Sequence, residues 1–366
     1  MRVTVVRPDA LGKAELDTWR EFQRVQADLA SPFLSPEFTV AVARIRSGTR
    51  VGVMEDGRDV VGFFPFERRR LGYGLPVAPG LNECQAVVHA PGLEWDAREL
   101  IRGCGLVLWE YDNLLDGQRP FESFALFRQP SPVMDLSEGF EAYLAERRRR
   151  SSRIRDLPRR RRRLEREVGP VRFVFDAQDP EALQTLMTWK SAQYRRTGRA
   201  DRFAWPWVVA LLQSMLESRA ASCAGRLSLL YAGEALVAGH FGLSSEGVIP
   251  TWFPAYDTRF SRYSPGLLLH VGMAEAAADA GITTIDMGRG AKDYKEELKS
   301  RDIVVAEGRV TRPSPTAAVH WLRRAPVRRL RNEVIENPSL LRAADRVLRS
   351  YARLRNSTAG RPSRRS

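Results

Sequence analysis

The sequence predicts an α/β fold made of two related units in tandem, each a mixed, strongly twisted sheet flanked by helices. Three observations carry this. The order hairpin, strand, helix, strand occurs twice along the chain. At 366 residues and 43% hydrophobic content, the chain exceeds one typical domain and can fill two cores. Between the copies lies an Arg-rich stretch that reads as a helical linker.

The first copy opens with a short strand, VTVV at 3–6. A helix near 13–29 follows, with Leu16, Trp19, Phe22 and Val25 at helical spacing. RVGVMEDGRDVVGFFPF has two apolar runs around Asp56-Gly57, a hairpin signal. QAVV then reads as a strand, WDARELIRG as a helix and LVLWEY as a strand. The linker AERRRRSSRIRDLPRRRRRLERE predicts a helix, a break at Pro158, and a second helix leading into the strand VRFVF. In the second copy, RLSLLYAGEALVAGHFGL is a hairpin around Gly233 and GVIPTWFPAY one strand. A helix over 265–280 and the strand ITTIDM complete it. The expected divisions are 1–145, the linker 146–168, 169–312, basic helices over 313–356 and a disordered tail at 357–366.

The net charge of +14 is concentrated. Residues 146–167 carry twelve Arg against four acids, and residues 314–366 thirteen Arg against three. The remainder is mildly acidic, with 33 basic and 37 acidic residues. Such segments suit polyanions or an anionic membrane surface, or are simply solvated helix faces. Cys84, Cys104 and Cys223 form neither a disulfide framework nor a zinc spacing, and the four histidines form no metal cluster. No apolar run has the length of a membrane span or of a signal peptide's h-region, so the expected compartment is the cytoplasm.

Two features point to chemistry. Ser264-Pro265-Gly266 opens the helix of the second copy: Ser suits an N-cap and Pro the first helical position. Pro and Gly leave that helix end without bulky cover, a ready anion site or, equally, an ordinary cap. Only Lys13, Lys190, Lys292, Lys295 and Lys299 of the 58 Lys and Arg are Lys, and three of them fall within eight residues. Where Arg is the default cation, this cluster marks a place that wants a compact ammonium, or a solvated helix face.

The ordered set SPFLSPEF (31–38), WKSAQY (189–194), AGHFGL (238–243), PAYDTRFSRYSPGLLL (254–269) and DMGRGAKDYKEEL (286–298) resembles the CelD/BcsL-like branch of the GNAT acyltransferase superfamily, associated with cellulose and exopolysaccharide biosynthesis. The resemblance implies tandem GNAT-like units, the first of them degenerate. It also implies an acyl donor, acetyl-CoA or another acyl-CoA, beside the strand 247–256, and an amine on a sugar-linked or small-molecule acceptor. One departure stands out: the superfamily's Arg/Gln-x-x-Gly-x-Gly/Ala loop is replaced by Ser-Pro-Gly. Two alternatives stay open: a FemAB-like transferase drawing on aminoacyl-tRNA, and a non-catalytic basic protein that binds a membrane or nucleic acid.

Acyl transfer to an amine requires that the donor's phosphates be held, the carbonyl polarised and protons moved. For the first task the candidates are the Ser264, Gly266 and Leu267 helix end with Arg259 and Arg262. His240, in a strand between Gly239 and Gly242, is a candidate base or a core histidine. Asp286, at a strand's C-terminal end, can orient or activate an amine, or cap its own loop. Tyr294 is a candidate acid and Lys295 a candidate ligand for an anionic group. Lys190 and Tyr194, four apart on a helix, suit acceptor binding, and Trp252 and Tyr256 can stack on a sugar ring or fill the core.

Overall fold

The structure is a computed structural model that describes residues 1–290 and 293–312. Lys292, the expected helices over 313–356 and the expected tail lie outside the described residues.

The first half contains β1 (Arg2–Val6), α1 (Lys13–Arg24), α2 (Pro36–Ile45), β2 (Thr49–Asp56), β3 (Asp59–Arg68), β4 (Tyr73–Leu75), β5 (Val88–His89), α3 (Ala97–Gly103), β6 (Leu108–Leu115) and β7 (Ala125–Asp135). Helices α4 (Phe140–Arg150) and α5 (Ser152–Glu167) lead to the second half. That half comprises β8 (Val171–Val174), α6 (Pro180–Arg196), α7 (Pro206–Leu216), β9 (Arg219–Ala220), β10 (Cys223–Ala232), β11 (Ala235–Ser244), β12 (Val248–Pro250), β13 (Phe253–Tyr256), α8 (Pro265–Asp279), β14 (Thr284–Asp286), α9 (Asp293–Leu298) and β15 (Arg301–Thr311).

The expected mixed α/β architecture is present. The hairpin around Asp56-Gly57 forms with Gly57 at φ +62°, where glycine's freedom is used, and β10 and β11 turn through Gly233 at φ +55°. Asp96 caps α3 by accepting from the Glu99 N–H, and Asp179 caps α6 by accepting from Glu181 and Ala182. Two expectations need correction. The first helix ends at Arg24, leaving Val25 exposed, because a separate short turn forms over Ala27–Leu29. The break in the linker falls at Ser151, whose hydroxyl caps Ile154, and Pro158 sits inside α5. Pro158 forfeits one helical hydrogen bond there, and burial of Ile154, Leu157 and Leu164 along one face holds the helix across it.

The ten-stranded sheet runs β1-β2-β3-β4-β6-β15-β7-β14-β12, with β5 on β3, and a second sheet runs β13-β11-β10-β8, with β9 on β10. The two halves exchange their final strands. β15, from the second half, pairs with β6 of the first, and β7, from the first half, pairs with β14 of the second. β15 and β7 then pair with each other over eight registered positions. One core cluster also mixes the halves, packing Trp19, Phe33, Phe38 and Phe63 with Leu212, Phe241, Trp252 and Phe253.

The halves share a local device. In each, the strand before the crossover helix bends between two partners. Near β5, Val88 pairs antiparallel with β3 while Gln85 bridges parallel to Leu114 of β6. In the second half the single expected strand over 247–256 divides into β12, parallel to β14, and β13, antiparallel to β11.

Candidate active site

The division of β12 from β13 builds the site. Thr251 N–H donates to the Asp286 carbonyl, keeping one residue with β14. The next N–H, of Trp252, donates to Nε2 of His240 on β11 (3.2 Å). Adjacent amides are thus held by different strands, and the chain splays. Beyond this point β13 diverges from β14 and a cavity of about 870 Å³ opens. Pro254, Ala255 and Tyr256 of β13 form one wall, the first turns of α8 a second, and Lys190 to Arg199 at the end of α6 a third.

Helix α8 points its N-terminus at this cavity. Ser264 is its N-cap but adopts a left-handed backbone (φ 56°), and its side chain caps nothing; instead its hydroxyl accepts from the Arg160 guanidinium at 3.1 Å. The Ser264 carbonyl accepts from the Leu267 and Leu268 N–H groups, so Leu267 is not the open donor that the sequence suggests. Gly266 N–H has no backbone partner, and a Cβ there would meet only Tyr256, at 3.8 Å. An uncovered amide at a helix N-terminus, beside Arg153, Arg160 and Arg199 in the lining, makes this end of the cavity suited to an anion.

The candidates divide clearly. Lys190, Tyr194, Tyr256, Ser264, Gly266, Leu267 and Tyr294 line the cavity together. Lys190 Nζ donates to the Pro254 carbonyl (2.7 Å) and lies over the Tyr194 ring, tying α6 to the splayed strand. Burial raises the Tyr194 phenol and pushes that of Tyr294 up to about 12, so both stay protonated donors at neutral pH.

The others stand elsewhere. Arg259 is 80% exposed and engages Asp257, while Arg262 pairs with Glu167 and the Tyr263 hydroxyl; neither lines the cavity. The arginines that do line the cavity are Arg153 and Arg160 of α5 and Arg199, just beyond α6. His240 is fully buried; loss of hydration holds it well below the usual imidazole range, so it is neutral and serves as acceptor for Trp252 N–H. The room beside it belongs to its own ring, since a Cβ on Gly242 would stand 2.6 Å from His240 Cε1. Asp286 accepts from Ser131 Oγ (2.8 Å) and the Gly288 N–H (2.9 Å), capping its own loop, and burial raises its carboxyl. Trp252 donates its indole N–H to the Leu81 carbonyl and packs edge-on against Phe33, a core role rather than a sugar platform.

Lys295 is also buried, donating to the carbonyls of Gly288 (2.6 Å) and Arg289 (3.1 Å). Its compact ammonium folds the 288–290 turn, a physical reason for Lys rather than Arg. Lys295→Met is accordingly expected to lower stability by about 1–3 kcal/mol, the cost of stripping buried carbonyls of their donor. A normal urea midpoint with collapsed turnover would instead return Lys295 to a chemical role.

Among the lining residues that the sequence did not single out is His270, one helical turn after Gly266. Nδ1 lies 2.6 Å from the Gly266 carbonyl, which can only accept, so Nδ1 carries the proton. Nε2 then holds a lone pair, is buried and has no partner. Burial brings this imidazole down to about 4. The sign follows: the neutral form is favoured by folding, so stability is complete above the ordinary value of 6.5 and falls as pH drops toward 4. His270→Asn is expected to shrink by about 2 kcal/mol the stability the protein loses between pH 7 and pH 5, read from urea unfolding at both. Equal losses in the two proteins would show that the imidazole titrates normally. A single His in the apolar run LLLHVGM was the available signal, masked by the helix's hydrophobic pattern.

The splayed strand and its helix belong to a mixed α/β fold of twisted sheets flanked by helices. Residues 150–296 match the family model for the acetyltransferase (GNAT) domain. No curated protein matches the chain. Among solved structures it is similar to a conserved protein of unknown function from Bacteroides thetaiotaomicron, at 11% identity and TM-score 0.54 over 84% of this chain and 99% of that one. It is similar to the C-terminal domain of a proposed lysylphosphatidylglycerol synthetase from Agrobacterium fabrum, at 14% identity and TM-score 0.50, covering 78% of this chain and 90% of that one. FemX is likewise similar, at 10% identity and TM-score 0.50, covering 74% and 89%. At these identities the likeness is one of fold. Among the described residues no helix is long and apolar enough to cross a membrane, and no group of His, Cys, Asp and Glu could hold a metal ion.

Proposed function

We propose that the protein is an N-acyltransferase that takes an acyl group from acetyl-CoA or another acyl-CoA. The proposed acceptor is an amine on a sugar-linked or small molecule used in envelope polysaccharide production. The observation that carries this reading is the cavity between β13 and α8, with an uncovered Gly266 amide and three arginines in its lining. A donor whose carrier is anionic suits that end. Lys190, Tyr194, His270 and Tyr294 supply the polar groups of the remaining lining, where the acyl group and amine would meet. The polysaccharide context rests on the resemblance of the ordered motifs to the CelD/BcsL-like branch.

Aminoacyl-tRNA is the alternative donor. The short Ser-Pro-Gly turn in place of the longer phosphate loop favours it, as do the arginines of α5 beside the cavity. Calorimetry separates the two readings. Micromolar binding of acetyl-CoA, with release of free thiol when amines are added, supports the first. Acetyl-CoA that fails to bind, with aminoacyl-tRNA that does, replaces it by the second.

A further inference from the structure

Glu83 lies in the segment between β4 and β5 of the first half, yet its carboxyl lies against the second half, at the turn that follows β14. Every neighbour is fixed. The Leu81 carbonyl accepts from the Trp252 indole, and Asn82 accepts from the Cys84 N–H and, through its own carbonyl, from Asn113. Gln85 bonds the backbone of Asn113 and Leu115 and the side chain of Asp112, which in turn pairs with Arg289. In this tightly bonded segment, Oε2 of Glu83 is buried and has no hydrogen-bond partner. It sits over the 286–289 turn, where a Cβ on Gly288 would stand 2.6 Å from it. The groups around the carboxyl are Asp286 from β14, Lys295 and Tyr294 from α9, Lys190 and Tyr194 from α6, and Arg202 from the turn over Arg202–Ala204. Three of these, Lys190, Tyr194 and Tyr294, line the cavity. Burial first, then the Asp286 charge, raises the Glu83 carboxyl to about 7 despite the nearby cations. A positioned, unpartnered carboxyl with that value has the properties of a general base at neutral pH.

We infer that Glu83, contributed by the first half, takes the proton from the acceptor amine at the second half's site, and that the acceptor enters as a primary ammonium. The inference rests on the acyltransferase reading above. In the step, R–NH3+ gives one proton to the Glu83 carboxylate. The freed amine lone pair attacks the thioester carbonyl carbon, the C–S bond breaks, and the sulfur leaves with its electron pair. The nitrogen's second proton goes to that thiolate, and the third stays on the amide. Glu83 then returns its proton to solvent.

The test is Glu83→Gln, nearly isosteric, assayed with acetyl-CoA and a panel of primary amines including glucosamine. The expected result is a kcat lower by about 10²–10⁴-fold, with acetyl-CoA affinity within twofold of wild type. The wild-type rate should climb with pH to a plateau above about 7, and the variant should lose that limb. Because folding raises this carboxyl, wild-type stability is complete below the ordinary glutamate value and is lost as pH rises through about 7. Glu83→Gln should therefore melt higher than wild type at pH 8.5 and gain little at pH 5. Retained turnover with an unchanged pH profile overturns the inference while leaving the acyltransferase reading intact. A wild type that consumes no acetyl-CoA with any amine overturns the parent reading. Matching melting profiles of the two proteins would then overturn the poised state of Glu83 as well, and a variant more stable at pH 8.5 would uphold it.

Discussion

Gly266→Val is expected to weaken acetyl-CoA binding about ten- to hundredfold and to leave the fold in place. A charge-assisted hydrogen bond is worth roughly 1.5–3 kcal/mol, which sets that range for one lost phosphate contact. The fold survives because the nearest atom to a new Cβ is Tyr256 Cδ1 at 3.8 Å, an ordinary contact, and because Val is the better helix former by under about 1 kcal/mol. What the branched side chain takes is the space in front of the amide. Arg160→Ala approaches the same end from α5. It removes a guanidinium that touches Ser264 Oγ and the Arg262 carbonyl and borders the cavity. Its loss is expected to be of similar size, and the double variant to be less than additive, since both groups border the same end of the cavity. Calorimetry with acetyl-CoA on the three variants measures this. Wild-type affinity in all three would move the donor away from α8.

Residues 150–296, produced alone, are expected not to fold. Within the intact protein β14 pairs with β7 through Thr284–Asp135, Ile285–Met134 and Asp286–Val133, and Ser131 bonds Asp286. The fragment lacks β7 and β15. It also exposes Trp252, Phe253 and Phe241, which pack in one cluster with Phe33 and Phe38 from the first half. Each large apolar side chain returned to water costs about 1.5–3 kcal/mol, so a few of them are comparable to a domain's whole stability of about 5–15 kcal/mol. Soluble expression, a cooperative melt and near-ultraviolet dichroism of the fragment would contradict this. Co-production of residues 1–145 with 146–366 is expected to restore a folded complex.

Local elements were legible in the sequence because their signals are local. The two hairpins, α3 and the Pro-opened α8 follow from turn residues and periodicity. The exchange of β7 and β15 was not, because strand pairing across more than a hundred residues leaves no mark in a window of ten or twenty. The site was half legible. Lys190, Tyr194, Tyr256, Gly266 and Tyr294 do converge on one cavity. Arg259 and Arg262 stand off the cavity: closeness along the chain said nothing of their acidic partners, Asp257 and Glu167. Arg160 and Arg153 were hidden in a charge run read as a whole, as a basic helical linker, with no single arginine marked out. Glu83 was invisible for the same reason as the exchanged strands: it comes to the site from the other half.

The place of β15 also sets when this protein can finish folding. β15 lies in the interior of the ten-stranded sheet, with β6 on one side and β7 on the other. On the ribosome, β6 leaves the exit tunnel early and then waits for its neighbour until synthesis reaches Thr311. At about 5–20 residues per second that interval is on the order of tens of seconds. Throughout it, β6 presents an unpaired edge bearing Leu108, Trp109, Tyr111 and Leu114, all buried in the finished molecule. A nascent chain with so apolar an edge is a natural client for holding chaperones. Shortage of them, rather than any weakness of the completed fold, would then limit the yield of protein.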